Sequence, residues 1–435
     1  MTNDDITDLN VKRMMDLLRV LSPFPRMINS PGLDKTFEII KQVMPDSIIH
    51  EYPSGMECED WVVPCSWSAK DGVMMDETGN TIASIEENHL FVVPYSESVE
   101  GWFTKEEIER HLYTRSDRPN AFSLEHRNAY DYQLVDWGIT LPYNRWINLS
   151  QKKYYIKIVV DCKPGSMKVA EYFLEGRRPE TICICAHIDE LCNDNLSGCV
   201  VAVELARYLE HLQNLQYSYQ LLLVPEMFGT LFYVYSNLEK IKKTVGMLNL
   251  EALGTGFEWC LKKAHKQNTR IEKVLRSAME REGISFKEVG FFEGYGNDER
   301  VYAWPSIGIP GVSLQRYPFE EYHTSDDTPS IINSQFLFEA FEIGKIFIQI
   351  LEKDYVPQYT KKLQPWLTRN GLYFDCQKTP EDFQKFNNIV LFGVNGRLTI
   401  MELAKAAGLD FFHVYDYIEK FVQKGLVKKL DVEWS

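Results

Sequence analysis

The sequence has no CxxC pair, no internal repeat, no low-complexity tract, and no run approaching the ~18 apolar residues that cross a membrane. Its nine cysteines, an odd number, lack the paired spacing of a structural zinc site. Several (Cys183, Cys185, Cys199) stand in apolar runs. They are expected to be reduced thiols used as small hydrophobes in a cytoplasmic protein. The opening stretch MTNDDITDLN is acidic and lacks the apolar core of a secretory leader. Positive charge is scarce: 47 Lys and Arg face 62 Asp and Glu, for a formal net charge of -15. Neither nucleic acid nor an anionic membrane is therefore an expected partner.

What is present is an ordinary globular composition, 45% hydrophobic and 25% charged, with frequent aromatics. A chain of 435 residues exceeds one ordinary core, so two or three domains are expected. Residues 6–22 and 33–44 carry helical apolar spacing. From 49 to 149 short β-rich runs such as NTIASI and HLFVVPY alternate with Gly, Pro, Asp and Asn. From about 152 to 350 strand and helix patterns alternate. YYIKIVVDC, TICICAHI, YQLLLVPE, VGMLNLEAL and PGVSL read as strands between amphipathic helices. Near-continuous apolar strands between such helices predict an α/β fold, a mixed, mostly parallel sheet covered on both faces. The layout is a main α/β domain over 1–48 and 150–365, an inserted β-rich domain over 49–149, and a C-terminal domain over 366–435. That last region has the outline of a winged helix. From Trp366 to Ser435 it holds nine Lys and Arg and nine Asp and Glu. A near-zero net charge suits an interface or scaffold rather than a DNA reader.

Polar residues gather where these strands end. His187 follows TICICA directly, and open α/β sheets bind ligands beyond the carboxyl ends of their strands. Asp189, two residues on, is placed to hold the second nitrogen of that imidazole. NDNLSG then leads into a helix, so Asn193, Asp194 and Asn195 serve equally well as caps. Glu226 follows the strand in LLLVPE, Glu251 ends the strand in MLNLE, and His323 lies in the loop EEYHTSDDT. Each alone reads as a loop acid or a cap. Together, two imidazoles and carboxylates at the ends of strands in one sheet make suitable zinc ligands.

AHIDELCNDNLSG, VPEMFG, NLEALG and YHTSDDT, in this order, resemble the zinc aminopeptidase superfamily, which includes the glutaminyl cyclases. The Pro53–Trp67 stretch and NDERVYAWPSIGIPGVSLQR further resemble an aminopeptidase-like subfamily often encoded near polysaccharide-biosynthesis genes. That subfamily carries an inserted β domain and a C-terminal winged helix. The resemblance implies a zinc-exopeptidase-like fold, with His187, Glu251 and His323 as ligands and Glu226 as general base. Counting back from Ser197 places Asn193, not an Asp, at the position that bridges two zinc ions, and Met227 replaces a second Glu. The expectation is thus one zinc ion per chain, with Asp194 or Asn193 completing its ligands. The free amine of a substrate is expected to meet Asp298, Glu299, Glu320 or Glu321, with Arg316 pairing these or a substrate carboxylate. The implied activity is removal of an N-terminal residue from a small peptide or peptide-like amide. Glutaminyl-cyclase-like acyl transfer and a degenerate hydrolase acting as a binding module are the alternatives. The inserted domain is expected to shape the cleft or to mediate homo-oligomer formation.

Overall fold

A computed structural model of the chain describes residues 3–126, 136–373 and 385–434. Its main sheet has eight strands: β1 (Ile48–Pro53), β2 (Ser166–Leu174), β3 (Thr181–His187), β4 (Ser218–Val224), β5 (Thr244–Glu251), β6 (Glu258–Lys262), β7 (Phe286–Val289) and β8 (Gly311–Tyr317). Their spatial order is β1-β2-β4-β3-β5-β8-β6-β7. The four central strands, β4, β3, β5 and β8, run parallel, with antiparallel pairs on both flanks. The mixed α/β fold expected from the sequence is therefore present.

Both β3 and β4 are buried at every residue, which explains their largely apolar sequences. Successive side chains of β3 point to opposite faces. Ile182, Ile184 and Ala186 join a core with α1 (Asn3–Leu21), α3 (Leu196–Glu210) and α6 (Ser334–Lys353). Cys183 and Cys185 join a second core with α4 (Phe228–Ser236) and the inserted module. The helices α2 (Pro31–Val43) and α5 (Arg270–Glu282) complete the first layer. Among the described residues, no helix is long and apolar enough to cross a membrane.

The insert is built on a four-stranded sheet with the order Thr81–Ser84, Ser66–Met75, Lys153–Lys163, Val99–Thr104. Lys153–Lys163 had been expected in the α/β sheet. It pairs instead along Ser66–Met75 and Val99–Thr104, so the insert's sheet extends past residue 149. The all-thiol expectation also needs correction. Cys65 and Cys162, at the ends of neighbouring strands with Cα atoms 5.8 Å apart, form a disulfide. The other described cysteines are free and buried.

In the C-terminal segment, Thr399 caps the helix Ile400–Ala407 and Gly408 ends it in the left-handed region (φ 61°). The helix Phe411–Gln423 follows. The strand Val427–Leu430 pairs antiparallel with Val356–Tyr359 just after α6, tying the segment to the main domain. Part of the region read as a winged helix, residues 374–384, lies outside the described residues.

Candidate metal centre

The parallel strands deliver their carboxyl ends to one edge. His187, the last residue of β3, lies opposite Val224 of β4, so Glu226 follows two residues beyond that level. Glu251 ends β5 beside Gln315 of β8. From β8 the chain continues into the loop that carries His323. The stretch between β3 and α3 folds back over the same edge.

Its polar residues work as a latch. Asn193 Oδ1 accepts hydrogen bonds from the backbone N–H groups of Gly254 (2.7 Å) and Thr255 (3.1 Å). Asn195 Oδ1 accepts from Gly198 (3.1 Å) and Ala252 (3.0 Å), and its Nδ2 donates to the Leu250 carbonyl (2.7 Å). Asp327 accepts from the N–H groups of Asn193 (2.6 Å) and Asp194 (3.1 Å). Gly198 is required because a Cβ there would lie 2.4 Å from the Leu250 carbonyl oxygen. The latch fixes α3 to the end of β5 and turns the Asp194 carboxylate inward. Asn193, expected at the bridging position, instead holds the loop after β5.

The Asp194 carboxylate lies between two imidazoles. Its Oδ1 lies 3.1 Å from His187 Nε2, and its Oδ2 lies 3.1 Å from His323 Nε2. Glu251 Oε1 is 3.3 Å from the same His187 nitrogen. On the other side of that ring, Asp189 Oδ1 is 3.2 Å from Nδ1, as expected of a residue that orients the imidazole. Asp189 Oδ1 also accepts the Glu226 backbone N–H at 3.0 Å, so one carboxylate positions both the histidine and the turn bearing Glu226. Asn195 and Asn297 donate to Glu251 Oε2 at 3.2 and 2.5 Å, leaving Oε1 directed at the centre.

Two further residues join the cluster. Glu190, in the left-handed region (φ 68°), is 3.5 Å from His323 Nε2 through Oε2. Through Oε1 it is 3.0 Å from Nε2 of His126, a residue of the insert. Neither was expected from the sequence. Glu190 stands inside the conspicuous CAHIDELCNDNLSG stretch, but only the backbone turn reveals its direction. His126 sits in the unremarkable run LEHRN, which offers no signal.

Five carboxylates (Asp189, Glu190, Asp194, Glu226, Glu251) thus share a largely buried space with three imidazoles (His126, His187, His323). Burial pushes the Glu251 carboxyl up to about 7 against the pull of His187. Burial, then the charge of Glu190, holds Glu226 well above the usual range. Burial would lower His323, but Glu190 and Asp194 hold it up at about 10. His187 is likewise raised, by Glu251, Asp189 and Asp194, against the effect of burial. An excess of buried negative charge calls for a cation. Asp194 Oδ2 is also buried and accepts no hydrogen bond, although His323 Nε2 is 3.1 Å away. Two donors each about 2.1 Å from a tetrahedral zinc ion lie about 3.4 Å apart. The 3.1–3.5 Å separations here fit that edge. Imidazole and carboxylate donors suit zinc.

Three of the residues expected to meet substrate are committed to the protein. Asp298 is fully buried, and its Oδ1 accepts from the Met227 N–H (3.0 Å) and Thr230 Oγ1 (2.6 Å), holding the start of α4. Glu299 is fully buried in an ion pair with Lys262 at 2.6 Å. The Arg316 guanidinium donates to the carbonyls of Gly256 (3.2 Å) and Phe257 (2.9 Å) and lies over the rings of Trp259 and Phe336. The physical reason is common to all three: each is buried, where a charge without a protein partner is costly. Glu321 and Glu320 lie at the contact with the insert, their carboxylates 3.9 and 3.4 Å from Arg118.

These groups stand at the carboxyl edge of a mixed α/β sheet. The zinc aminopeptidase of Bacillus subtilis is similar in fold, with a TM-score of 0.58 at 16% identity over 79% of this chain and 95% of that one. The chain belongs to the family described as "Domain of unknown function (DUF4910)", whose model matches residues 15–354. A Clostridium acetobutylicum protein named "Putative polysaccharide biosynthesis protein with aminopeptidase-like domain" is 28% identical over 406 residues, 91% of each chain. A crystal structure from the same organism, described as that of a "putative peptidase", has a TM-score of 0.87 at 26% identity and covers 98% of this chain and 99% of that one.

Proposed function

We propose that this protein is a zinc-dependent, aminopeptidase-like hydrolase that cleaves an N-terminal residue from a small peptide or peptide-like amide. The observation that carries the reading is the Asp194 carboxylate, set between His187 and His323 with Glu226 on the adjoining turn. His187, Asp194, Glu251 and His323 would hold the ion. When bound, zinc supplies an acidified water and polarises a carbonyl. Glu226 takes the proton of the attacking water and returns it to the leaving amine. A carboxyl raised by burial and by Glu190 is suited to carrying a proton in both directions. Asp189 keeps the ring of His187 turned to the centre and the Glu226 turn in place.

The C-terminal segment, read as a winged helix, acts as a scaffold. Asp354 at the end of α6 accepts from the Met401 N–H (3.0 Å) and pairs with Arg270 (2.8 Å), joining segment and main domain.

The test is release of aminoacyl chromophores by wild type and Glu226→Gln, with zinc content measured on both. Turnover should fall by about 10²–10⁴-fold at unchanged zinc content. Equal turnover in the two proteins would refute the role of Glu226. Zinc binding with no amide cleavage by wild type would favour cyclisation or a binding module.

A further inference from the structure

We propose that a cavity between the main domain and the insert, outside the metal centre, binds a small amphipathic carboxylate, and that filling it steadies the turn that carries Glu190. The cavity measures about 330 Å³, within the ~300–1,000 Å³ typical of ligand sites, which favour domain boundaries. Its lining is mostly apolar: Phe24 and Met27 from the segment before α2, and Trp67, Ile85, Leu90 and Val92 from the insert. Trp67 N–H donates to the Asn29 carbonyl (3.0 Å) and Trp67 Nε1 to the Ser96 carbonyl (3.0 Å), so the indole is pinned from both sides. Two exposed lysines, Lys35 of α2 and Lys70 of the insert, complete the lining. Among the described residues no carboxylate lines the cavity. Lys35 Nζ lies 5.9 Å from the centre of the Phe24 ring, and Lys70 pairs loosely with Asp161 at 3.9 Å. The chain carries a formal net charge of -15, so a cationic rim on an apolar hollow is a local reversal of its charge. An apolar body would bury against the rings and aliphatic side chains, and a carboxylate would meet the two ammonium groups. A cationic head would be repelled.

The cavity wall is wired to the cleft through one residue. Pro25 and Met27 both line the cavity, and Arg26 between them is buried. Its guanidinium donates to the carbonyls of Ile188 (3.0 Å), Glu190 (2.9 Å) and Leu191 (2.8 Å), and also to that of Phe24 (2.9 Å). Its own carbonyl accepts the Glu190 N–H at 3.1 Å. These bonds hold Glu190 in the left-handed region (φ 68°), a conformation that persists only where surrounding structure imposes it. An occupant packed on Phe24, Pro25 and Met27 orders the segment from which Arg26 makes those bonds. Openings that break them also dismantle the cavity wall, so a ligand that needs the wall makes such openings rarer by mass action.

The experiment is calorimetric titration of the full-length protein with decanoate, decanol and decyltrimethylammonium at low salt, comparing wild type with the double variant Lys35→Gln/Lys70→Gln. Both lysines are exposed, so the variant should keep the melting midpoint of wild type. Wild type should bind one decanoate per chain, decanol about tenfold more weakly, and the ammonium surfactant not at all. The double variant should bind decanoate about tenfold more weakly than wild type and decanol equally well. Hydrogen exchange of the Glu190 N–H in wild type should slow about tenfold with decanoate at about ten times its Kd. No binding of decanoate, equal binding of decanoate and decanol, or equal binding of decanoate by the two proteins overturns the site. Binding with unchanged exchange at Glu190 overturns the link to the cleft. None of these readouts uses turnover, so the hydrolase reading stands or falls separately.

Discussion

Replacing Asp298 separates two views of the cleft. If it met the free amine of a substrate, Asp298→Ala would raise KM and leave stability alone. The structure instead gives its Oδ1 two donors, the Met227 N–H at the head of α4 and Thr230 Oγ1, at 3.0 and 2.6 Å. Each hydrogen bond to a charged group contributes about 1.5–3 kcal/mol. Burial pushes this carboxyl up to about 7, so it is only partly ionised at neutral pH and the lower figure applies. Two bonds then give about 3 kcal/mol. Unfolding entropy of about 2.1 cal/mol/K per residue, taken over 435 residues, gives about 0.9 kcal/mol/K, so the melting midpoint should fall by about 3 °C. Because Met227 adjoins Glu226, kcat should fall as well, with zinc content unchanged. Asp298→Asn keeps the accepting oxygen, and the orphaned Oδ2 becomes the amide nitrogen, so its loss should be under about 1 kcal/mol. Scanning calorimetry with steady-state kinetics on both variants decides the matter. An unchanged midpoint with a raised KM in Asp298→Ala would refute the positioning role.

The carboxyl of Glu171 is buried, and burial alone would raise it, but His50, Lys240 and Gln220 hold it down at about 2 against an ordinary 4.5. A depressed folded-state value contributes stability above about 4.5 that is lost as pH falls toward 2, so Glu171→Gln should flatten the fall in urea midpoint across that window. Parallel curves for the two proteins would contradict this. Lys262→Met should cost about 3–5 kcal/mol in urea unfolding, because it strands the fully buried charge of Glu299. A loss below about 1 kcal/mol would mean that Glu299 is neutral in the fold.

Strands were legible where burial on both faces leaves largely apolar sequences, as in β3 and β4, and these strands place His187, Glu226 and Glu251. Lys153–Lys163 was assigned to the wrong sheet because local pattern does not name a strand's partner. Its alternation of buried and half-exposed residues was nonetheless a signal for an antiparallel, one-sided sheet. The choice between Asn193 and Asp194 turned on counting residues through a loop. Side-chain direction there depends on backbone hydrogen bonds to Gly254, Thr255 and Asp327, which no spacing encodes. The acids of NDER and the guanidinium of Arg316 looked free because their buried partners, Lys262, Thr230 and the Gly256 and Phe257 carbonyls, are remote in sequence. His126 was invisible for the same reason.

The short ladder between residues 122–124 and 323–325 also bears on the order in which the protein assembles. Synthesis presents the insert first, and β3, β4 and β5 follow before the His323 loop exists. The contact from Phe122 to Ser325 spans 203 residues, so its closure must wait for nearly the whole main sheet. Residues 121–126 therefore leave the ribosome without the partner that orders them. Closure of this ladder and completion of the cleft are one event, because the same residues make both. A chain truncated before residue 323 would lack that ladder and leave His126 undocked.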